Sequence, residues 1–140
     1  MNEPEPDLLL RIRPEFGGQS TTTDDDYLRG SPELIAEVSD SYPSTDLGAK
    51  HRVYFAAGVK EYLVLNLYDR RLHWFDLASD RELVPEADGV YRIQTFPGLW
   101  IDSAALLARD LRRLLAVLDS GLATPEHAAF AAKLVAANRA

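Results

Sequence analysis

The segment that most limits the fold is residues 59–67, VKEYLVLNL, which is almost continuously apolar. Such a run is typical of a strand buried at the centre of a sheet. It follows a helix that we predict from Ser44 or Thr45, either of which can cap it, to Gly58, a good C-terminal cap. Residues 32–39, PELIAEVS, precede that helix and alternate in polarity, as a strand does. The centre of the chain is therefore predicted to be strand, helix, strand.

The rest of the chain adds short strands first and helices last. The segment RLHWFDL follows a turn after the central strand, so residues 60–77 are predicted to form a hairpin. This order predicts a mixed α/β (α+β) fold with two helices at its C-terminal end. The remaining predicted elements are strands at 7–13, 81–84 and 90–95, a long loop at 17–30, a helix from Asp102 that ends before Gly121, and a helix from Thr124 to about Asn138.

Length and composition indicate one soluble domain over residues 1–140. Hydrophobic residues make up 46% of the 140, which is the ordinary globular range. The chain has no run of about 18 apolar residues, and its acidic, proline-broken start, MNEPEPD, has no signal core. The absence of cysteine excludes disulfides and thiolate metal sites and fits a reducing compartment. We therefore expect a cytoplasmic protein.

The net charge of −7 narrows the kinds of partner that the chain can have. An acidic surface repels a phosphate backbone, so a simple DNA-binding module is disfavoured. A nuclease is less disfavoured, because acidic ligands recruit a divalent cation that reverses the local charge.

Glu37 is the most informative single residue. It lies in the middle of the strand predicted at 32–39, among apolar neighbours, where an ionised carboxylate is costly unless it is paired or bound to a metal. Two plainer interpretations remain open. Glu37 can lie on a solvated face of the sheet, or it can pair with an arginine such as Arg11 on the adjacent strand.

Asp7 and Glu33 are the carboxylates that could act with Glu37. Asp7 is the first residue of the strand predicted at 7–13, and if the two strands pair, Asp7 and Glu37 can converge on one hard cation. Glu33 shares a strand face with Glu37, but four residues at roughly 3.3 Å each place the two about 13 Å apart. Glu33 is therefore the second choice as a ligand and can equally be a strand-entry charge.

Lys50 lies in the helix that follows Glu37. With Asp46 and Tyr54 it forms a stripe at i, i+4 and i+8 along one helical face. A catalytic lysine would stabilise the negative charge that develops on phosphorus or orient the attacking water. The plainer interpretation is an ordinary helix ion pair between Asp46 and Lys50.

The other chemistry-bearing residues give no recognised motif. The three histidines are scattered without the spacing of zinc ligands, so we expect each to be a surface residue or to have an ordinary hydrogen-bond partner. The chain contains no GxGxxG, GxxxxGK or GxSxG pattern. The run Asp24 to Asp26 lacks the spacing and the downstream glutamate of a calcium loop.

The middle of the chain resembles a known family. Residues 32–66, PELIAEVSDSYPSTDLGAKHRVYFAAGVKEYLVLN, are similar to the central signature of the Uma2 family, which is assigned to the PD-(D/E)XK nuclease superfamily. PEPDLLLRI near the start and FPGLWID at 96–102 are similar to further family segments. The resemblance implies a restriction endonuclease-like central mixed sheet flanked by helices, and a Mg²⁺-dependent (or Mn²⁺-dependent) endonuclease that acts on DNA.

The resemblance also implies a set of site residues. The strand carboxylates that hold the metal in the superfamily correspond to Asp7 and Glu37, and the catalytic lysine corresponds to Lys50, with Glu33 and Asp46 as possible additions. The usual Glu-x-Lys spacing would place that lysine at Ser39, so the assignment of Lys50 requires that the lysine has moved to the following helix.

The start of the chain departs from the family pattern. Family members usually carry a further helix and hairpin before the first Pro-Asp strand, whereas this chain begins almost at that strand. We therefore expect an N-terminally short domain with an open sheet edge at 7–13, which invites pairing with another chain, including a homodimer. The alternative to an enzyme is an inactive nuclease fold that acts as an interaction or oligomerisation module.

Overall fold

The computed structural model describes residues 5–40 and 43–139 and, within them, all side chains except those of residues 43–46. The chain divides into two compact units, Met1–Leu83 and Val84–Ala140, which we describe one at a time. Its elements are β1 (Leu8–Leu10), β2 (Thr21–Thr22), β3 (Leu28–Arg29), β4 (Leu34–Ser39), α1 (Pro43–Ala57), β5 (Glu61–Asn66), β6 (Arg71–Asp76), β7 (Arg81–Leu83), β8 (Val90–Arg92), β9 (Trp100–Asp102), α2 (Ser103–Leu107), α3 (Leu111–Leu122) and α4 (Pro125–Asn138).

Five strands of the first unit form one mixed sheet in the order β1-β4-β5-β6-β7. Strands β4 and β5 are parallel and are joined by α1, because parallel neighbours need a crossover connection. The other neighbouring pairs are antiparallel. The predicted mixed fold with a central sheet and two C-terminal helices is confirmed, and the hairpin predicted over 60–77 is formed by β5 and β6.

Helix α1 begins and ends close to where the sequence predicts. It starts at Pro43, since proline is tolerated in the first helical turn, where no amide donor is needed. It ends before Gly58, whose φ of 92° is the left-handed conformation that glycine adopts without strain. The amide of Gly58 donates to Phe55 O and that of Val59 to Tyr54 O, so the last carbonyls of the helix are satisfied.

The core of the first unit lies between α1 and one face of the sheet. That face carries alternate residues of β4 and β5, because successive side chains of a strand point to opposite sides. Glu37 belongs to the same face as the apolar residues of β4 that meet the helix. The buried cluster consists of Ile35, Tyr54, Val59, Tyr62, Val64 and Leu77, with Leu47 and Phe75 packed against it.

Two sequence predictions of element boundaries in the first unit are wrong. The strand predicted over 7–13 spans only Leu8–Leu10, because the amide of Ile12 donates to a Glu33 side-chain oxygen, and a 3-10 turn starts at Pro14. The loop predicted at 17–30 contains the short antiparallel pair β2 and β3. A periodicity pattern records neither the Glu33 acceptor nor the backbone pairing of β2 with β3.

The helix predicted to begin at Asp102 and end before Gly121 is two helices in the second unit. The chain breaks at Arg109, whose φ of 58° is left-handed, and Asp110 caps the new start by accepting a hydrogen bond from the amide of Arg113. Gly121 lies inside α3 rather than after it. A side chain at Gly121 would collide with the carbonyl of Gly98 and the ring of Trp100, so close packing is what requires glycine there.

Asp102 fixes the start of α2 in the second unit. Its Oδ1 accepts a hydrogen bond from the amide of Ala105 at 3.0 Å, and its Oδ2 accepts one from Arg113 Nε at 2.6 Å. The side chain is 2% exposed. The bond from the Ala105 amide, followed by the Arg113 guanidinium, holds the pKa of Asp102 below its usual value.

Substituting alanine for Asp102 is expected to lower the free energy of unfolding near pH 7 by about 1–2 kcal/mol, which is typical of a lost N-cap. Because the folded pKa is depressed, this contribution is full above the unfolded pKa of about 3.9 and is lost as the pH falls through the folded value. Urea unfolding between pH 7 and pH 2.5 measures it. Asp102→Asn keeps the cap oxygen without the charge, so it should lose less stability than the alanine variant. If the wild type and the alanine variant are equally stable at pH 7, then Asp102 is not a stabilising N-cap.

Candidate active site

Glu37 lies in the middle of β4, on the face of the sheet that α1 covers. Its side chain is only 5% exposed, and its register partner on β5 is Val64. An ionised carboxylate at such a position is costly unless charge or hydrogen bonds compensate for the lost water. The residues around Glu37 must therefore supply donors.

Three side chains donate to the Glu37 carboxylate. Lys50 Nζ lies 3.0 Å from Oε2, the Tyr54 hydroxyl 2.9 Å from Oε1, and the Tyr62 hydroxyl 3.0 Å from Oε2. Lys50 and Tyr54 are four residues apart on α1 and so share one helical face. Tyr62 projects from β5 on the side of the sheet that carries the carboxylate. Both oxygens of Glu37 are satisfied, and one cation balances its charge.

These contacts decide between the interpretations that the sequence left open. Glu37 is buried, so the solvated-face interpretation is wrong. The proposed pairing with Arg11 is also wrong, because that guanidinium donates to Thr22 Oγ1 at 2.7 Å and to Ser20. Lys50 makes its ion pair with Glu37. The side chain of Asp46, the possible addition to the site, lies outside the described residues.

Tyr54 is held in its neutral form by the site. Burial of the ring raises the pKa of Tyr54 far above its usual value, and the hydrogen bond to Glu37 and the negative charges of Glu37 and Asp7 raise it further. The hydroxyl is therefore protonated at any physiological pH. Tyr54 therefore acts as a hydrogen-bond donor that orients the carboxylate.

Asp7 lies beside Glu37 on the neighbouring strand. Antiparallel pairing of Leu8 with Ala36 places Asp7, one residue earlier, opposite Glu37. Directly opposite residues have Cβ atoms about 4.5–5.5 Å apart. One carboxylate oxygen of Asp7 accepts a hydrogen bond from the amide of Val38 at 2.8 Å, and the side chain is exposed. Two carboxylates on adjacent strands thus lie at the same end of the sheet, and Lys50 reaches one of them.

Glu33 is not part of this group. It is 1% exposed, and its two carboxylate oxygens accept hydrogen bonds from the amides of Ile12 at 2.8 Å and Gln19 at 3.1 Å. The carboxylate therefore secures the segment that follows β1. These two hydrogen bonds indicate a structural role for Glu33.

Comparison with protein families identifies the family to which this chain belongs. The Uma2 family model, whose description is "putative restriction endonuclease", matches residues 1–110 of the 140. This chain belongs to the Uma2 family. The matched region contains Glu37, Lys50 and Asp7. The family description supports a nuclease-like function, and a search of curated proteins finds no match.

Tyr62 is the site residue of this Uma2 chain that the sequence analysis missed. It lies in the predicted central strand and in the segment that resembles the family, but neither suggested a role at the site, because a tyrosine in a central strand is most simply a core residue. The signal that could have found it is alternation, since Tyr62 shares a face with the buried positions of β5. That signal becomes specific only once β4 and β5 are known to be parallel, with Ile35 opposite Tyr62.

The histidines have the ordinary partners that the sequence predicts. His51 Nε2 lies 3.4 Å from an oxygen of Asp80, and His127 Nδ1 lies 2.9 Å from the carbonyl oxygen of Pro97. His73 lies between two carboxylates, with Nε2 2.7 Å from Asp69 and Nδ1 3.1 Å from Glu82. Among the described residues, no group of three or more His, Cys, Asp or Glu side chains is arranged to hold a metal ion.

The donor set beside Glu37 is made of oxygen ligands, because the carboxylates of Asp7 and Glu37 lie on neighbouring strands. Carboxylate oxygens are the ligands that hard divalent cations prefer. A zinc site would require histidine or cysteine ligands, and the described residues around Glu37 include none.

Among the helices that the structure describes, none has the length and hydrophobicity that a membrane span requires.

Proposed function

We propose that this Uma2 chain is a Mg²⁺-dependent endonuclease that hydrolyses phosphodiester bonds of DNA. The observation that carries the proposal is the contact between Lys50 and the buried Glu37, beside the carboxylate of Asp7. A buried carboxylate, an exposed carboxylate and an ammonium group at one sheet end are the components that metal-assisted phosphodiester hydrolysis needs. The family description supports the same class of reaction.

Each residue has a distinct task in this proposal. Asp7 and Glu37 would hold the cation, which when bound supplies Lewis-acid stabilisation of the phosphoryl oxygens. Tyr54 and Tyr62 keep the Glu37 carboxylate in one orientation through their hydroxyls. The ammonium group of Lys50 has three donors, of which one faces Glu37, and its side chain is 42% exposed. The other donors are available to a phosphate oxygen or to the attacking water.

Substituting alanine for Lys50 is expected to lower the rate of plasmid cleavage in Mg²⁺ or Mn²⁺ by about 10²–10³-fold, as removal of a transition-state donor does. Gel electrophoresis of supercoiled plasmid over time gives the rate. Lys60→Ala is the matched control, because Lys60 is exposed and precedes β5 at the opposite end of the sheet.

Lys50→Ala also leaves the buried Glu37 without its cation, which can destabilise the fold. Lys50→Gln retains a hydrogen-bond donor without the charge and should fold, as checked by thermal unfolding. Cleavage by Lys50→Gln at the wild-type rate would contradict the proposed role, and a wild type that cleaves no DNA with either metal would contradict the proposed function.

A second candidate function is self-association through β1, which the exposure of that strand favours. β1 is an edge strand, and Leu8, Leu9 and Leu10 are 66%, 45% and 41% exposed. An open edge with apolar side chains is a template for pairing with another strand. A second copy of the chain could pair there, which would make the protein a homodimer.

Leu8→Lys is expected to weaken such association at least about tenfold, because a charge on an edge strand opposes pairing. Sedimentation velocity at a series of protein concentrations measures it. Val84→Lys, at a residue that is 83% exposed and follows β7, is the control. A wild type that stays monomeric at every concentration would exclude this candidate.

A further inference from the structure

The turn between β5 and β6 lies at the same end of the sheet as the candidate site. Glu37 is level with Val64 in the parallel pair, and two residues further on Ser39 is level with Asn66. Asn66 in turn is opposite Arg71, the first residue of β6. The residues that connect them, 67–70, therefore leave the sheet from the end that carries Glu37.

Polar side chains of the turn and of the two adjoining strands set the conformation of this turn. Asn66 is fully buried, and its Oδ1 accepts hydrogen bonds from the amides of Tyr68 at 2.9 Å and Asp69 at 3.1 Å. One oxygen of Asp69 accepts from the amide of Arg71 at 3.1 Å, and the other lies 2.7 Å from His73 Nε2. The backbone of the turn is thus tied to the sheet at both ends.

Two arginines on this turn have no partner of opposite charge in the part of the chain that the structure describes. The side chains of Arg70 and Arg71 are exposed, and within residues 5–40 and 43–139 neither guanidinium forms an ion pair or hydrogen bond. The carboxylate of the adjacent Asp69 is engaged by His73 and by a backbone amide instead. Three other arginines, Arg13, Arg92 and Arg113, do pair with carboxylates.

The spacing between these arginines and Glu37 suits one nucleic-acid strand. Arg71 is two strands from Glu37, at ~4.8 Å per strand, and two residues further along, at ~3.3 Å each, which together give about 12 Å. A strand of DNA rises 3.4 Å per nucleotide along the helix axis, so about 12 Å spans at most three or four nucleotides of one strand. At that distance from Glu37, the guanidinium groups of Arg70 and Arg71 can hold phosphates that flank the phosphate that reacts.

We propose that the β5–β6 turn is a contact for the nucleic-acid backbone, in which Arg70 and Arg71 bind phosphates that flank the scissile one. This inference rests on the proposed nuclease function and adds to it the part of the protein that positions the substrate. In a chain with a net charge of −7, binding of a polyanion depends on local positive charge of this kind. The contact is independent of sequence, because guanidinium groups on phosphates read no base.

The test measures DNA binding separately from cleavage. A labelled duplex is titrated by fluorescence anisotropy with the Glu37→Gln chain in Mg²⁺, at several salt concentrations, and a gel checks that the duplex stays intact. Adding Arg70→Gln and Arg71→Gln removes both charges at nearly constant side-chain size. The slope of log affinity against log salt should become shallower by about 2, and the affinity at low salt should fall by about tenfold or more.

Arg81→Gln is the matched control. Arg81 is an exposed arginine that begins β7 opposite Asp76, at the other end of the sheet. It should change neither the slope nor the affinity by a comparable amount. Thermal unfolding of all variants checks that the turn substitutions leave the fold intact.

The outcomes separate this inference from the proposed function. A wild type that cleaves DNA, together with an unchanged salt slope in the double arginine variant, overturns the turn contact and leaves the nuclease proposal standing. Binding that weakens as expected in a protein that never cleaves DNA supports the contact and overturns the nuclease proposal. A Glu37→Gln chain that does not bind the duplex at all, or that binds it independently of salt, overturns the contact.

Discussion

Substituting glutamine for Glu37 is expected to lower metal-dependent cleavage of plasmid DNA by at least about 100-fold, with the fold retained. Glutamine has nearly the same shape, and its oxygen can still accept a tyrosine hydrogen bond, but it offers no charge to a cation. The loss of a metal ligand or of its orienting shell commonly costs 10–100-fold in affinity or activity, and loss of transition-state stabilisation adds to this. Calorimetric titration with Mg²⁺ or Mn²⁺ should show at least about tenfold weaker binding.

Glu82→Gln is the control for this prediction. Glu82 is another carboxylate of the same sheet, it lies 3.1 Å from His73 Nδ1, and it is 41% exposed. Cleavage and metal affinity should be unchanged in that variant. If Glu37→Gln cleaves DNA as fast as the wild type, then Glu37 does not carry the chemistry, whatever the metal titration shows.

Substituting alanine for Glu33 is expected to have the opposite consequence, a large loss of stability with little change in chemistry. The substitution leaves the amides of Ile12 and Gln19 without their acceptors. A fully buried donor without a partner costs about 1–3 kcal/mol, and because these two amides are only partly buried the free energy of unfolding should fall by about 2–4 kcal/mol. Urea unfolding followed by circular dichroism measures the loss, and cleavage per folded molecule should stay within about twofold.

Glu33→Gln provides the graded comparison. Its single amide oxygen can serve one of the two backbone donors, so it should lose roughly half of what the alanine variant loses. A wild-type stability in both variants would show that the segment after β1 is not held by this carboxylate. A loss of cleavage without a loss of stability would instead return Glu33 to the candidate site.

The sequence was sufficient for the central elements of this Uma2 chain. The apolar run that contains Val64 predicts a central strand, and Gly58 predicts the end of α1, because burial and backbone conformation restrict the residues allowed there. Glu37 is a charged residue among apolar neighbours, which predicts that hydrogen-bond donors, a cation or a metal must compensate for the burial of its charge. These are local requirements, and a single sequence displays them.

Contacts between distant segments could not be predicted in the same way. Glu33 and Glu37 share one strand face by alternation, yet one binds backbone amides and the other binds side chains. The kind of donor that each carboxylate meets depends on where the segment after β1 turns back, and periodicity does not record that. Tyr62 joins Glu37 only through the parallel register of β4 and β5, for the same reason.

The carboxylate of Glu37 is held by one group on β5 and two on α1, so the chemistry of the site and the attachment of the helix share the same bonds. An apolar residue at this position would leave two tyrosine hydroxyls and an ammonium group facing a surface that cannot accept their hydrogen bonds. When the site is lost during evolution, position 37 and its three partners should therefore be replaced together. Relatives that have lost the chemistry should be recognisable by that joint replacement.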